Sequence, residues 1–478
     1  MTDPREIDVD ATGPAETGSL AAFLDDEPLV ESVELLLPDL GGIIRGKRVG
    51  LDELRAAFAG ECCFTSTLYA LDTTGANVDR SGLVWEEGDA DRPLALDPAS
   101  LRVIPWREGR AQVIGGLLDF DRRPFFADPR AMVRRLGDEL AARGLRPVTA
   151  LELEFYLLDE ELDERGLPQH AVSRRLGRRP RDPEVFLHER FEEVEDFFEV
   201  LEGYCAAQGL PVKGALSEFA PGQFEVNLGH VDDVVQACDD ALMFKRCVKA
   251  AARATGRRTT FMAKPFEDSS GNGLHVHMSL VDRAGRNVFT EAGADGETGA
   301  GAEAGVGAGG TMLGHVVWGL QQAMAESVLL FAPNANSYRR LTPRSYAPTA
   351  PTWGFNNRTV ALRIPAGPDA ARRVEHRLAG ADANPYLVTA AILAGMLHGL
   401  EGRGDPGPAV TGNAYERRQR TLPTSWADAL GAFEKGRILP QILGERFCRL
   451  YAACRRAEYD RFEAHVTPLE YEWYMSSV

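Results

Sequence analysis

Apolar and polar residues alternate over short stretches in the first quarter of the chain. From Val33, the run VELLLPDLGGIIRGKRV reads as two short strands on either side of a Pro-Asp-Leu-Gly-Gly turn, and the stretch 65–78 adds more strand character. Residues 1–17 are rich in Asp, Glu, Thr, Gly and Pro, so we expect a flexible tail there. The pattern therefore predicts a small β-rich domain over residues 18–122.

The spacing changes at Asp128, where apolar and charged residues begin to recur at helical intervals. The stretch 131–145 has this spacing, and Gly144 is placed to end the helix. Beyond it, strand-like segments alternate with longer helical ones. The predicted strands are 150–158, 224–228, 274–281 and 359–365, and the predicted helices are 192–208, 234–256 and the stretch after Pro385. We therefore place a domain boundary near residue 123 and predict a mixed α+β domain over residues 123–478.

One stretch of this larger domain has no periodicity. Residues 292–311 consist almost wholly of Gly, Ala, Glu and Thr, a composition that cannot fix a backbone conformation. We interpret the stretch as a mobile surface insertion. Because it follows a strand that carries candidate site residues, a lid is an alternative, but a neutral loop extension is the favoured interpretation.

Composition and charge narrow the classes of partner. The 478 residues include 53 Lys and Arg against 71 Asp and Glu, a net charge of −18, which argues against nucleic acid or an anionic membrane as the main partner. Seven cysteines form no C-x-x-C pattern, and no uninterrupted apolar run reaches the length of a membrane span. We therefore expect a cytoplasmic protein that is neither secreted nor inserted in a membrane.

Acidic residues and histidines recur at strand spacing in three places. Glu152 and Glu154 lie two residues apart, so strand periodicity puts both on one face. Glu218 and Glu225 flank a Pro-Gly turn that would let the chain fold back and aim both acids at one point. His275 and His277 share a strand face, after glycines at 271 and 273 that allow close approach of a ligand. Each feature alone has an ordinary structural explanation, which is the favoured one, and a metal site is the alternative.

Arginines follow in two clusters. Arg339 and Arg340 are adjacent, and Arg358 and Arg363 are five residues apart in a segment where a turn at Asn356 and Asn357 would let both reach one phosphate. Guanidinium groups bind phosphate and carboxylate through a charged, bidentate donor fork, although a surface salt bridge is the favoured explanation for any one of these arginines taken alone. The stretch 41–47 also fits G-x-x-x-x-G-K, but we reject a phosphate loop because Arg48 stands where Ser or Thr should hold magnesium.

Seven motifs, taken in chain order, resemble those of the glutamine synthetase family. They are E-x-E, E-x-x-P-G-Q-x-E, F-M-x-K-P, G-x-G-x-H-x-H-x-S-L, N-S-Y-x-R-L, N-R-x-x-x-x-R-I-P and E-x-R-x-x-x-x-x-A-N-P-Y, spread over residues 152–386. Each is weak alone, but seven in this order are very specific. Within the family, the SYAP and TWG segments resemble the γ-glutamyl-polyamine and γ-glutamyl-ethanolamide synthetases.

The resemblance implies a fold and an assembly. The family fold is α+β, with a small β-grasp N-terminal domain and a large catalytic domain that is built on a curved antiparallel sheet with flanking helices. The subunits form two stacked hexameric rings, usually a homo-dodecamer, and the N-terminal domain of the neighbouring subunit completes each active site.

The resemblance also implies roles for individual residues. Glu154, Glu218 and Glu225 would hold one divalent ion and Glu152, His275 and Glu375 a second, out of two or three Mg²⁺ or Mn²⁺ ions that accompany ATP. The glutamate side-chain carboxylate would attack the γ-phosphate of ATP, and an amine would then displace phosphate from the γ-glutamyl phosphate. Substrate contacts would come from Arg340 and Gly273, stabilisation of the phosphoryl group from Arg358, Arg363 and Arg377, and nucleotide contacts from His277, Ser279 and Arg358.

The chain departs from the ammonia-using members at one position. Those members carry R-L-x-P-G-Y-E-A-P, and here Tyr346 replaces the glutamate of that segment. Ammonium favours a compact, negatively charged cage, whereas an aromatic wall can hold the carbon stem of an organic amine. We therefore predict that Tyr346 lines an amine site. Asp72 is the counterpart of a second ammonium-site acid and would deprotonate the amine, although a turn-forming role is an equal alternative.

Three alternatives stay open from the sequence. The protein could be an ammonia-dependent glutamine synthetase, or a catalytically silent family member with a structural or regulatory role. The sequence also does not decide between ethanolamine and a polyamine such as putrescine. The family's adenylylated tyrosine corresponds to Tyr415, but the residues around it differ, which argues against regulation by that modification.

Overall fold

The fold is taken from a computed structural model, which describes residues 14–173, 177–180, 182–290, 311–417 and 421–478. Most of the predicted tail and all of the predicted insertion except Thr311 lie outside the described residues. The first helix begins at Pro14, inside the stretch that we expected to be a tail. Thr311 accepts a hydrogen bond from the amide of Gly314 at 3.0 Å and so caps a later helix.

Strands and helices alternate irregularly along the described chain. The strands are β1 (Ser32–Pro38), β2 (Ile44–Gly50), β3 (Cys63–Thr65), β4 (Asp91–Leu96), β5 (Arg102–Val103), β6 (Arg110–Leu117), β7 (Leu145–Asp159), β8 (Val212–Ser217), β9 (Gln223–Leu228), β10 (Arg257–Thr260), β11 (Leu274–Asp282), β12 (Trp353–Phe355), β13 (Leu362–Ile364) and β14 (Val374–His376). The α-helices are α1 (Pro14–Asp26), α2 (Leu51–Phe58), α3 (Pro129–Ala142), α4 (Glu189–Glu193), α5 (Glu195–Ala207), α6 (Val234–Ala254), α7 (Met312–Phe331), α8 (Pro385–Gly402), α9 (Trp426–Glu434), α10 (Ile438–Leu443), α11 (Glu445–Glu463) and α12 (Pro468–Tyr474).

The first sheet has the order β2-β1-β6-β4-β3, with β5 beside β6. The predicted pair of strands after Val33 is confirmed, since β1 and β2 are antiparallel and their turn is held by Asp39, whose Oδ1 accepts from the amides of Gly41 and Ile43 at 2.8 and 2.9 Å. The stretch 41–47, which we rejected as a phosphate loop, ends inside β2. The β-grasp type of residues 18–122 and the division near residue 123 stay predictions.

The strand character predicted for residues 65–78 is mostly wrong. Only Thr65 of this stretch belongs to a strand, and residues 66–70 form a 3₁₀ helix. The hydroxyl of Thr65 accepts from the amide of Thr67 at 3.2 Å and caps that helix. Threonine side chains offer the backbone such local partners in place of a sheet ladder, and the β propensity of the stretch is overridden here.

The predicted helix of residues 131–145 is confirmed as α3. Asp128 caps it, because its Oδ1 accepts from the amides of Arg130 and Ala131 at 2.8 and 2.9 Å, and Pro129 occupies the first turn. Gly144 follows the end of the helix with φ +77°, a conformation that favours glycine. The predicted helices over 192–208, over 234–256 and after Pro385 correspond to α5, α6 and α8.

The second sheet has the order β12-β13-β14-β11-β7-β9-β8, with β10 beside β7. The predicted strands at 150–158, 224–228 and 274–281 are confirmed as parts of β7, β9 and β11. The strand predicted over 359–365 is shorter in the structure and corresponds to β13. All its neighbouring strands are antiparallel except β12 and β13. The α+β class is therefore confirmed, and the long central strand β7 carries the first acidic motif.

Polar contacts join the first sheet to helices α5 and α6 beside a continuous apolar core. Gln112 of β6 donates to Gln208 at 2.6 Å, and Arg246 of α6 pairs with Glu34 of β1 at 2.9 Å. The helices described here include none that is long and apolar enough to cross a membrane.

Candidate active site

Acidic and basic side chains gather on one face of the second sheet. Residues that pair directly across strands, and residues two apart along a strand, point to the same face. The register pairs Glu154 with Glu225, Glu152 with His275, and Glu375 with both His277 and Arg363. Five neighbouring strands, from β13 to β9, thus bring together side chains that are up to 223 positions apart in the chain, from Glu152 to Glu375.

Three carboxylates form the first group. Ligand oxygens of Glu154, Glu218 and Glu225 lie within 4.8 Å of one another. Glu218 follows β8 and reaches the group from the turn that leads into β9, as the Pro-Gly spacing predicted. Burial, together with the nearby carboxylates, raises the pKa of Glu225 to about 9, and burial and Glu218 raise the pKa of Glu154 to about 7. Two buried acids and one half-buried acid that repel one another are suited to a bound cation.

Glu152 joins two further groups whose ligand atoms lie within 4.8 Å of one another. One contains Glu225 and His275, and the other contains His277 and Glu375. The ring nitrogens of His275 and His277 lie 3.3 and 2.8 Å from the Glu152 carboxylate. Burial lowers the pKa of His275 to about 4, so this imidazole is neutral and has a lone pair to offer a metal.

The donor set fits a hard divalent cation. It consists of carboxylate oxygens and imidazole nitrogens, and no cysteine of the chain takes part in these groups. Such oxygen-rich sets suit Mg²⁺ or Mn²⁺, whereas structural zinc is usually bound by sets that contain thiolates. Within the described part of the chain, every group of this kind lies on this one sheet face.

Arginines border the carboxylates. Arg363 donates to Glu375 at 2.7 Å, and Arg377, the first residue after β14, also donates to Glu375. Burial works to raise the pKa of Glu375, but Arg377, His275, His277 and Arg363 outweigh it and lower the pKa to about 2. This carboxylate therefore stays charged between two guanidinium groups.

Arg358 lies in the turn between β12 and β13 and is exposed. The turn that we predicted at Asn356 is present, with φ +45° at that residue, and Asn356 accepts from Arg363 at 3.0 Å. Burial raises the pKa of Glu218 and the positive charge of Arg358 works to lower it, so Arg358 lies on the side of the three carboxylates. The site therefore has acids on the sheet and an exposed cationic side chain at its rim.

A comparison with family models matches residues 126–474 to the catalytic domain of glutamine synthetase. The chain belongs to the glutamine synthetase family. It is 39% identical to γ-glutamylputrescine synthetase of Escherichia coli (strain K12) over 475 residues, which cover 97% of this chain and 96% of the relative. It is 33% identical to γ-glutamylethanolamide synthetase of Streptomyces coelicolor over 446 residues, with 92% of each chain covered.

The glutamine synthetase fold is also found among solved structures. An ADP complex of GmaS superposes with a TM-score of 0.79 at 28% identity, covering 95% of this chain and 99% of that one. The family resemblance and the amine-ligase branch that the motifs indicated are therefore confirmed.

Among the residues expected to contact substrate, Arg340 and Gly273 lie next to each other. Arg340 is buried, and its Nη1 donates to the carbonyl of Leu378 at 2.9 Å. The amide of Gly273 donates to Glu154 Oε2 at 2.7 Å. Ser279 lies two residues beyond His277 in β11, on the same face, and is half-buried.

The loop that we predicted to line an amine site lies beyond Arg340. Tyr346 is 62% exposed and has φ +58°, and Arg344 has φ +67°. Two residues other than glycine in the left-handed region within three positions mark a tightly held turn, a feature that clusters at functional sites. The sequence gives no sign of these backbone angles.

Asp72 is engaged in its own turn. Its Oδ1 accepts from the amide and hydroxyl of Thr74 at 2.8 and 2.7 Å and from the amide of Ala76 at 3.0 Å, and Arg461 lies 2.7 Å from Oδ2. Burial works to raise the pKa of Asp72, but these hydrogen bonds and the Arg461 charge outweigh it and lower the pKa. The geometry favours the turn-forming alternative, and a role in deprotonation stays a prediction.

Two neighbours of the site were given no role in the sequence analysis, although Gln223 lies within one of the seven motifs. Gln223 is buried and donates to the carbonyl of Gly271 and to Asn272 Oδ1, both at 3.0 Å. Arg373 donates to Nδ1 of His277 at 3.0 Å. Both lie two residues before a predicted ligand, Glu225 in one case and Glu375 in the other, so strand periodicity applied to every polar residue would have found them.

Proposed function

We propose that this protein is an ATP-dependent ligase that joins the side-chain carboxylate of glutamate to an organic amine through a γ-glutamyl phosphate. The observation that carries the proposal is the buried face of carboxylates, histidines and arginines on the second sheet. The names of the relatives support it, because they describe γ-glutamyl ligases of putrescine and of ethanolamine.

We assign two divalent ions to the buried acids. Glu154, Glu218 and Glu225 would hold one. Glu152, His275 and Glu375 would hold the other, as the family resemblance implies, whereas the structure groups Glu152 and Glu375 with His277 and groups His275 with Glu152 and Glu225. Bound Mg²⁺ or Mn²⁺ would neutralise the charge on the triphosphate of ATP. The raised pKa values of Glu154 and Glu225 support this assignment, since buried acids of one charge favour a cationic partner.

The chain's own residues would act on glutamate and on the transferring phosphoryl group. Arg340 would bind the α-carboxylate of the glutamate substrate, and the backbone of Gly273 lies beside it. Arg358, Arg363 and Arg377 would stabilise the negative charge on the phosphoryl oxygens as the side-chain carboxylate attacks. His277, Ser279 and Arg358 would contact the nucleotide. The amine nitrogen then attacks the acyl carbon of γ-glutamyl phosphate, and phosphate leaves as the amide bond forms.

Tyr346 would select an organic amine over ammonium. Its exposed ring stands where the ammonia-using members have a glutamate, and a ring offers apolar contact to a carbon stem together with cation–π attraction. We assign the acceptor to the class of primary alkyl amines, which includes ethanolamine and the polyamines.

We further propose a homo-dodecamer of two hexameric rings in the cytoplasm. Family membership supports the assembly, and seven free cysteines suit a reducing compartment. Light scattering of the purified protein tests the assembly. For a dodecamer, the measured mass should be twelve times the chain mass of 52.2 kDa.

A substrate comparison tests the function. The purified protein receives ATP, Mg²⁺ and glutamate, and phosphate release is measured with ammonium, ethanolamine, putrescine, cadaverine, spermidine or no amine, with products identified by mass. We expect amide products with organic amines and little with ammonium. The Glu225→Gln variant, which keeps the side-chain shape, serves as the inactive control.

Two outcomes would contradict the proposal. Activity with ammonium alone would make the protein a glutamine synthetase in the strict sense and would remove the role given to Tyr346. Absence of activity with every amine, in a protein that assembles normally, would favour the catalytically silent alternative.

A further inference from the structure

One segment, residues 410–416, contacts both loops at the rim of the site. On one side, Asn357 Nδ2 donates to the carbonyls of Val410 and Gly412 at 3.1 and 2.8 Å. The amide of Ala414 donates to Thr359 Oγ1 at 3.0 Å. The segment thus holds both residues that flank Arg358.

The other side of the segment contacts the loop that carries Tyr346. Tyr415 Oη donates to the carbonyl of Ala347 at 2.9 Å. Ala347 is buried, and it directly follows the exposed Tyr346. The segment therefore links the turn assigned to the phosphoryl group with the loop assigned to the amine.

The amine-side loop needs such an anchor because its backbone is strained. Arg344 and Tyr346 both have positive φ, a conformation that persists only where surrounding contacts impose it. Before Tyr346, Ser345 Oγ lies 3.0 Å from the carbonyl of Arg340. After Tyr346, the hydroxyl of Tyr415 supplies the contact. Burial raises the pKa of Tyr415, so this hydroxyl remains protonated and able to donate.

We propose that Tyr415 is a positioning residue of the ligase: its hydroxyl holds Ala347 so that the Tyr346 ring stays at the amine site. The inference rests on the proposed function and deepens it. A released loop would hold the amine less well and admit water, which attacks the acyl carbon of γ-glutamyl phosphate and yields glutamate and phosphate. Tyr415 would then govern how completely ATP consumption is matched by amide formation.

The Tyr415→Phe variant tests this role, since it removes the hydroxyl and keeps the ring. We expect the KM for the amine to rise about threefold to tenfold, as for the loss of one hydrogen bond. Phosphate released per amide formed should rise above the wild-type ratio, while the KM for ATP and the melting temperature stay unchanged. A merely structural tyrosine would lower the melting temperature and would leave the phosphate-to-amide ratio unchanged.

The Tyr451→Phe variant is the matched control. Tyr451 also donates to a backbone carbonyl, that of Leu329 at 3.2 Å, but it lies in α11 and contacts none of the residues assigned to the reaction. We expect its KM values and phosphate-to-amide ratio to equal those of the wild type. Thr359→Val, which removes the acceptor of the Ala414 amide, provides a second test. Like Tyr415→Phe, it should raise the amount of phosphate released per amide formed.

The outcomes separate the inference from the proposed function. A wild-type protein without amine-dependent phosphate release would overturn both. An active wild type, together with Tyr415→Phe and Thr359→Val variants that keep its amine KM and its phosphate-to-amide ratio, would overturn the inference alone.

Discussion

Replacing Gly273 with alanine should disable the glutamate site while leaving the fold in place. A Cβ built on this residue would lie 2.9 Å from Arg340 Nη2, 3.0 Å from His275 Nε2 and 3.2 Å from Glu154 Oε1. These three groups are the proposed substrate arginine and one proposed ligand from each metal set. The added methyl group would therefore contact all three groups too closely and displace them.

The contacts around Gly273 leave little room for relaxation. Arg340 is buried and held by the carbonyls of Leu378 and Arg377 at 2.9 and 3.4 Å, and Glu154 accepts from the Gly273 amide itself. Displacing catalytic groups by 1 Å can cost about 100-fold in rate. For shifts of several tenths of an ångström in three groups at once, we expect kcat/KM for glutamate to fall roughly 30- to 300-fold, or about 2 to 3.4 kcal/mol.

Steady-state kinetics with saturating ATP and amine measure this loss. Gly214→Ala is the matched control, because Gly214 lies in β8 of the same sheet and a Cβ there meets nothing within 4 Å. We expect the control to keep kcat/KM within twofold of the wild type. A Gly273→Ala enzyme that also stays within threefold would show that the close contacts around Gly273 do not matter for binding glutamate.

Three further predictions follow from other parts of the structure. Tyr346→Ala should raise the KM for the best amine roughly 2- to 30-fold by removing cation–π contact, and Tyr346→Phe should not; an unchanged KM in the alanine variant would remove Tyr346 from the amine site. Asp72→Asn should keep kcat at pH 7 within about twofold, because both oxygens of Asp72 are already engaged, and a tenfold loss would restore the deprotonating role. Asp240 is buried, its oxygens accept no hydrogen bond from the described residues, and burial raises its pKa from 3.8 to about 7. Folding thus favours its protonated form, and the stability this provides is present at low pH and is lost as the pH rises through 7. Between pH 6 and pH 8 the wild type should lose roughly 1 kcal/mol more stability than Asp240→Asn, and equal pH dependence in urea unfolding would contradict the assignment.

Periodicity predicted the elements that carry the site because those elements are long and regular. β7, β9 and β11 alternate buried and site-facing residues, and the acids and histidines stand out at every second position. The exception at residues 65–78 shows the limit of this reasoning. There a single threonine hydroxyl provides a local hydrogen bond and turns a stretch of strand-forming residues into a 3₁₀ helix.

The geometry of the site depends on the register of strands that are distant in the chain. The residue types in the motifs indicate metal and phosphate chemistry, but only pairing shows that Glu375 lies between His277 and Arg363. The pairing of a three-residue strand such as β14 is set by the surrounding packing, which the sequence of that strand does not contain. The left-handed backbone at Tyr346 is likewise imposed by tertiary contacts.

The placement of the proposed groups would let the amine acceptor change while the proposed phosphorylation of glutamate stays the same. Most of the residues assigned to glutamate, metal and phosphoryl group lie on or beside strands of one sheet, where cross-strand pairing fixes their positions. Tyr346 lies on a loop that is attached to this sheet through a few hydrogen bonds, one of them from Tyr415. A change in the loop can therefore alter the surface that meets the amine without moving a strand. Rigid elements hold a site more accurately than loops, so the sheet would fix the proposed phosphorylation step and the loop would set the choice of amine.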